Sequence, residues 1–311
     1  MNFLYYKAVN WNETFDNLDT YTWEKLTNHF WLDTRLPMRE DFDAWKNLPQ
    51  KTQQILIQFL ASASLNAALH AEIGAPSLRP AIQTQQEEAV LNILTFLESV
   101  HTKAYTSIFR GLVSDEKTQI GYDFADHHPL LQQQIGLLEN VFEQGEALQK
   151  KAAFFLANTV LTFGKLAPLL QQTALNQTKQ MLRQILQGTG IFSAYLGYKF
   201  QKTYWLLDEM EKSKFKTWFE DFSQELIQLE QAFLAELLTD DDFKTSLDAL
   251  QFGLVYTYQT LGFHKPNEET PSPVIKQMFQ PYLMTTKQMT QQAQVIFSQQ
   301  DEAMQVSDYQ F

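Results

Sequence analysis

Thr84-Gln85-Gln86-Glu87-Glu88-Ala89-Val90-Leu91-Asn92-Ile93-Leu94-Thr95-Phe96-Leu97-Glu98-Ser99-Val100-His101-Thr102-Lys103-Ala104-Tyr105 is the stretch that decides the fold. Thr84 followed three residues later by Glu87 is a capping-box spacing, which starts a helix. Apolar residues then recur with helical period at Val90, Ile93, Leu97, Val100, Ile108 and Phe109, to about Val113. Glu98, His101 and Tyr105 are spaced by three and four, so the helix carries all three on one face. A Glu-x-x-His match this short is by itself unspecific.

The same period runs outward in both directions. Residues 50–73 carry Ile55, Ile57, Phe59, Leu60, Ala63, Leu65 and Leu69, too apolar for a surface helix, and Gly74-Ala75-Pro76 ends the run. Downstream, 123–129 reads as a loop, and a helix follows through Leu137 and Phe142. Residues 146–171 form a strongly apolar helix that Gly164 and Pro168 are expected to bend. Helices over 175–205 (with Gly188 and Gly190 in mid-run), 211–238 and 241–261 complete an all-α pattern. From His264 the chain is rich in Pro, Gln and Thr and is expected to lose order. The expected division is a helical domain over 1–265 and a C-terminal segment with a flexible tail over 266–311.

The chain has 311 residues, 44% of them hydrophobic, enough for one large core, and its 11 Gly and 10 Pro are few for a turn-rich β fold. A net charge of -12 argues against nucleic-acid binding, which needs a basic surface. The absence of cysteine excludes disulfides and thiolate ligands. No charged n-region precedes an apolar stretch, and no uninterrupted apolar run reaches the ~18 residues of a membrane span. A cytoplasmic protein with no membrane contact is the expectation.

Several stretches, in order over residues 15–265, resemble the small subunit of class I ribonucleotide reductase, in its class Ib branch. They are Glu24-Lys25-Leu26-Thr27-Asn28 before Phe30-Trp31-Leu32, Gly74-Ala75-Pro76-Ser77-Leu78, Glu87-Glu88-Ala89-Val90-Leu91 leading to Glu98-Ser99-Val100-His101 and Tyr105, Ser107-Ile108-Phe109, Gly197-Tyr198-Lys199-Phe200-Gln201, and Leu261-Gly262-Phe263. The resemblance implies a ferritin-like long-helix bundle whose four core helices hold an iron or manganese pair, two through lone carboxylates and two through Glu-x-x-His. It further implies a tyrosyl radical, a relay to the large subunit, and a dimer.

Laid on that pattern, Glu98 and His101 are retained metal ligands, Tyr105 is the radical candidate, and Trp31 is a remnant of the relay. The other four ligand positions fall on Ala67, Ala157, Thr189 and Phe192, and the relay aspartate falls on Gly188. Asn66, Asn158, His70 and Glu72 are the nearest polar neighbours. Asn66 and Asn158 lie about 100° around their helices from the lost positions, and all four are read as surface or core polar groups. The family's tail tyrosine falls in Gln294-Val295-Ile296-Phe297, where Phe297 has no phenolic proton. Asp308, Tyr309 and Phe311 resemble the acidic, aromatic tail that docks on the large subunit.

The leading expectation is therefore a noncatalytic small-subunit homologue without a dimetal cofactor. It would assemble with the large subunit and either with itself or with a metal-bearing small subunit. Two alternatives stand beside it: a metal-independent or atypical radical generator using Tyr105, and a ferritin-like scaffold outside nucleotide reduction. Glu98 and His101 are then expected to be a satisfied internal pair, and Phe154, Phe155, Phe163, Phe192 and Phe200 to fill the core.

Overall fold

The Thr84 signal is realised in the computed structural model, which describes residues 8–263 and 271–303, with side chains to 295. The Thr84 hydroxyl accepts from the Glu87 amide at 3.0 Å, while the Glu87 carboxylate turns back to the Gln83 amide at 3.1 Å. One first-turn donor, the Glu87 amide, is thereby satisfied, and the return bond falls on the amide one residue before the cap.

From that start α5 runs Gln85–Leu112. Before it come α1 (Asn17–Asn28), the short α2 (Phe42–Lys46), α3 (Gln50–Leu69) and the single turn α4 (Ala75–Ser77). After it come α6 (Asp115–His127), α7 (Pro129–Gln144), α8 (Ala147–Leu156), α9 (Thr162–Gln171) and α10 (Asn176–Tyr204). The chain continues through α11 (Glu209–Leu237), α12 (Asp240–Leu261), α13 (Pro273–Phe279) and α14 (Thr286–Ala303). The described residues contain no strand. α3 packs on α5, α12 on α9, and α10 on α5, α8 and α12. Phe59, Leu94, Ile108, Phe154, Phe163, Phe192 and Phe200 are fully buried between them. The stretch 147–171 is apolar and long enough to cross a membrane, and its burial inside the bundle accounts for that apolarity.

Two π-helical turns interrupt this regularity, His70–Gly74 after α3 and Ala157–Leu161 between α8 and α9. The irregularity expected at Gly164 and Pro168 falls instead at 157–161, and α9 continues through Pro168. The loop expected over 123–129 shrinks to a corner at His128, because α6 continues to His127 and Pro129 opens α7.

The segment beyond His264 also differs from expectation where it is described. Ile275, Phe279 and Met289 are buried, the Tyr256 hydroxyl donates to the Met284 carbonyl at 2.7 Å, and the Tyr21 hydroxyl reaches Gln292 at 2.7 Å. Glycines on α10 make the room: a Cβ at Gly190 would stand 2.1 Å from the Tyr282 carbonyl oxygen. Composition conceals this, because the complementary gap lies far away in sequence.

Candidate functional site

α5 brings Glu98, His101 and Tyr105 inward on one face, as their spacing dictates, and all three are buried. His101 Nδ1 lies 3.2 Å from Glu98 Oε2. His70 Nδ1 approaches the same oxygen at 4.0 Å from α3. His70 and Asn158 each sit on a π-helical turn, and such turns re-aim side chains toward functional sites. The Asn158 amide is close enough to act on both Glu98 and His70, although its Nδ2 makes no full hydrogen bond. The wall beside His70 is aromatic, with Phe154 at 4.7 Å and Phe142 at 6.1 Å between ring centres.

The electrostatics are those of one anion facing two imidazoles. Burial pushes the Glu98 carboxyl upward, but His101 and His70 outweigh it and hold the group below its ordinary range. Burial pushes the His70 imidazole down, against the pull of Glu98. Burial raises the Tyr105 phenol well above its ordinary range, and the Glu98 charge adds to that. The cluster is incompletely bonded: Glu98 Oε1, His70 Nε2, His101 Nε2, Asn66 Nδ2 and Asn158 Nδ2 have no partner among the described residues.

The remaining expected positions surround this cluster without adding donors. Ala67, Ala157 and Phe192 are buried and apolar, and the Thr189 hydroxyl is spent on the Ile185 carbonyl at 3.0 Å. Among the described residues, no group of three or more His, Cys, Asp or Glu side chains is arranged to hold a metal ion. A Cβ at Gly188 would stand nearest to His29 Cδ2 at 3.8 Å, and to His101 Nε2 and His29 Nε2 at 3.9 Å, so this position has room for a side chain beside two imidazoles. His29 is half-buried and bonds the Gln184 carbonyl at 3.1 Å. Trp31 is buried, and its Nε1 has no acceptor among the described residues. Asp308, Tyr309 and Phe311 lie outside the described residues, as does the side chain of Phe297.

Sequence reading placed Glu98, His101 and Tyr105 together and named His70 and Asn158 only as neighbouring polar groups. The visible signal for His70 was its position one turn beyond Ala67. Nothing in the local pattern marks the π-helical turns that complete the approach.

The chain matches the family model described as ribonucleotide reductase, small chain, over residues 8–254. It is 30% identical over 247 residues to ribonucleoside-diphosphate reductase 2 subunit beta of Escherichia coli, covering 77% of each chain. It is 29% identical over 273 residues to the ribonucleoside-diphosphate reductase subunit beta of Mycobacterium leprae, covering 85% of this chain and 83% of that one. Among solved structures it is similar to the dimanganese(II) NrdF of Streptococcus sanguinis. The TM-score there is 0.83 at 30% identity, with 88% of this chain and 100% of that chain covered.

Proposed function

Because the chain belongs to the ribonucleotide reductase small-chain family, in its class Ib-like branch, we propose that it serves deoxyribonucleotide synthesis as an assembly subunit rather than as a radical generator. The observation that carries this reading is the cluster at Glu98: one carboxylate, two imidazoles and an amide, with apolar side chains at the flanking positions. These residues do not fit a dimetal group. Two divalent ions would bring several positive charges against a single carboxylate, and uncompensated buried charge costs several kcal/mol per ion. Glu98 instead finds its partners within the protein, His101 at 3.2 Å and His70 at 4.0 Å, so this reading needs no metal to hold the bundle.

Small subunits of this family form dimers and pair with a large subunit. For this chain, Phe30 and Phe96 stack at 6.0 Å between ring centres while both remain exposed, which suits a face covered by a second small subunit, identical or metal-bearing. The reading divides the chain into a helical domain at 1–265 and a C-terminal segment at 266–311 whose tail docks on the large subunit, with Asp308, Tyr309 and Phe311 as anchors, in the cytoplasm.

Metal analysis of the full chain after anaerobic loading with iron and with manganese tests the reading. Far less than one metal per chain is expected, and about two per chain would overturn it. A second reading rests on Tyr105, which the bundle buries beside Glu98. A tyrosyl signal in the electron paramagnetic resonance spectrum of freshly isolated protein would select it.

A further inference from the structure

A second buried polar site lies away from Glu98, where α8 and α10 meet the start of α5. A cavity of about 120 Å³ opens there, walled by Lys151, Lys199, Lys202 and Glu87, with Phe15 and Leu206 at its rim. The lysines are not equivalent. Lys199 contacts Asp19 at 2.6 Å and Asp16 at 3.2 Å, with Glu87 at 3.9 Å, and Lys202 contacts Asp16 at 3.1 Å. Lys151 is only 6% exposed, yet no ion pair or hydrogen bond to its ammonium is found among the described residues.

An ammonium so far withdrawn from bulk water, with no protein partner, carries a desolvation cost that deprotonation, water in the cavity or a bound anion can relieve. Burial does push Lys151 below the ordinary lysine range, against the pull of Glu87 and with Lys199 adding to the depression. An anion in the cavity would supply the missing contact. The cavity is too small for a nucleotide and suits one oxyanion group. The three lysines are already matched formally by Asp16, Asp19 and Glu87, so a dianion would bring an excess of negative charge beside Glu87. A monoanion, with its single charge placed on Lys151, brings half that excess. The rim supplies the other half of the recognition: Phe15 is 75% and Leu206 84% exposed, an unusual apolar pair at the mouth of a charged cavity.

We propose that this cavity binds an organic monocarboxylate, its carboxylate on the Lys151 ammonium and its apolar stem between Phe15 and Leu206. The ligand class is a small aryl- or alkyl-carboxylate, and the site is independent of the chemistry at Glu98.

The test is calorimetric titration of the full chain with 3-phenylpropionate, set against 3-phenyl-1-propanol and inorganic phosphate. Saturable binding of the acid is expected, with the alcohol and phosphate at least about tenfold weaker. Lys151→Met, checked for folding by circular dichroism, is expected to weaken the acid by about tenfold or more. Should that variant fail to fold, Leu206→Ser on the exposed rim is expected to cost about threefold. No saturable binding of the acid, equal binding of the alcohol, or wild-type affinity in Lys151→Met would overturn the proposal. Tighter binding of phosphate than of the acid would overturn the assignment to a monocarboxylate.

Discussion

Two buried polar clusters draw on the same helix, α5, and they are built on opposite principles. At one, Lys199 and Lys202 of α10 gather Asp16 and Asp19, with Glu87 of α5 close by, and the Tyr195 hydroxyl and Thr84 close on Asp19 at 2.7 and 3.2 Å. At the other, about 16 Å further along α5, Glu98 faces two imidazoles and five polar atoms stand unpartnered. The first is a bonded network of the kind that fixes helix against helix. The second has the outline of a reactive centre with little of the donor set. On the proposed reading, family shape and family chemistry are separable along a single helix, and the network that holds the shape is the more fully bonded of the two.

The sharpest way to break this contrast is to remove the hub of the connected cluster. Lys199→Met leaves Asp16 and Asp19 buried with one cation fewer, and is expected to cost about 3–5 kcal/mol by chemical denaturation. Glu98→Gln is expected to cost much less, about 1–2 kcal/mol, since one carboxylate oxygen is already unpartnered. Equal losses in the two variants would erase the distinction.

Filling the gap at position 188 sharpens the contrast in the other direction. Gly188→Asp adds a Cβ with ordinary contacts only and brings a carboxylate toward His101 and His29. A gain of about 1 kcal/mol is expected, from helix propensity and the new acceptor together, and a loss would mean that the gap is filled by something the variant displaces.

The smallest effect is acid dependence. Burial tends to raise the Asp16 carboxyl, but Lys199 and Lys202 outweigh it and hold the group below its ordinary range. A depressed folded-state value means the contribution is fully present above the unfolded value, near pH 4, and is lost as the pH falls through the folded one. Urea midpoints of Asp16→Asn are expected to lie below wild type at neutral pH, and the gap is expected to close below about pH 4. A constant gap across that range would assign the effect to packing.

Most of the bundle was legible because 3.6-residue periodicity and start signals are local. The Thr84 cap, the inward face of α5 and the extents of α10 and α12 all follow from spacing. The misses share one physical cause. A π-helical turn inserts an extra residue without leaving a composition mark, so the 100° rotation that should set Asn158 aside is undone at 157–161, and His70 swings to Glu98 at 70–74. The described part of the segment after His264, residues 271–303, was misread for a related reason. Pro273 and Ser272 start α13 as a proline and a cap should, but what holds the helix is burial of Ile275 and Phe279 against distant elements, which no local window contains.

The closeness of Gly190 to Tyr282 and Leu283 also orders events in time. The C-terminal layer packs over a wound helix and its two partners lie far apart along the chain, so its closure is expected to follow the helix it covers and to open before the bundle does, which native-state hydrogen exchange would read. Any side chain at position 190 would act as a wedge, leaving the bundle standing while residues 271–303 became the place where a protease gains entry.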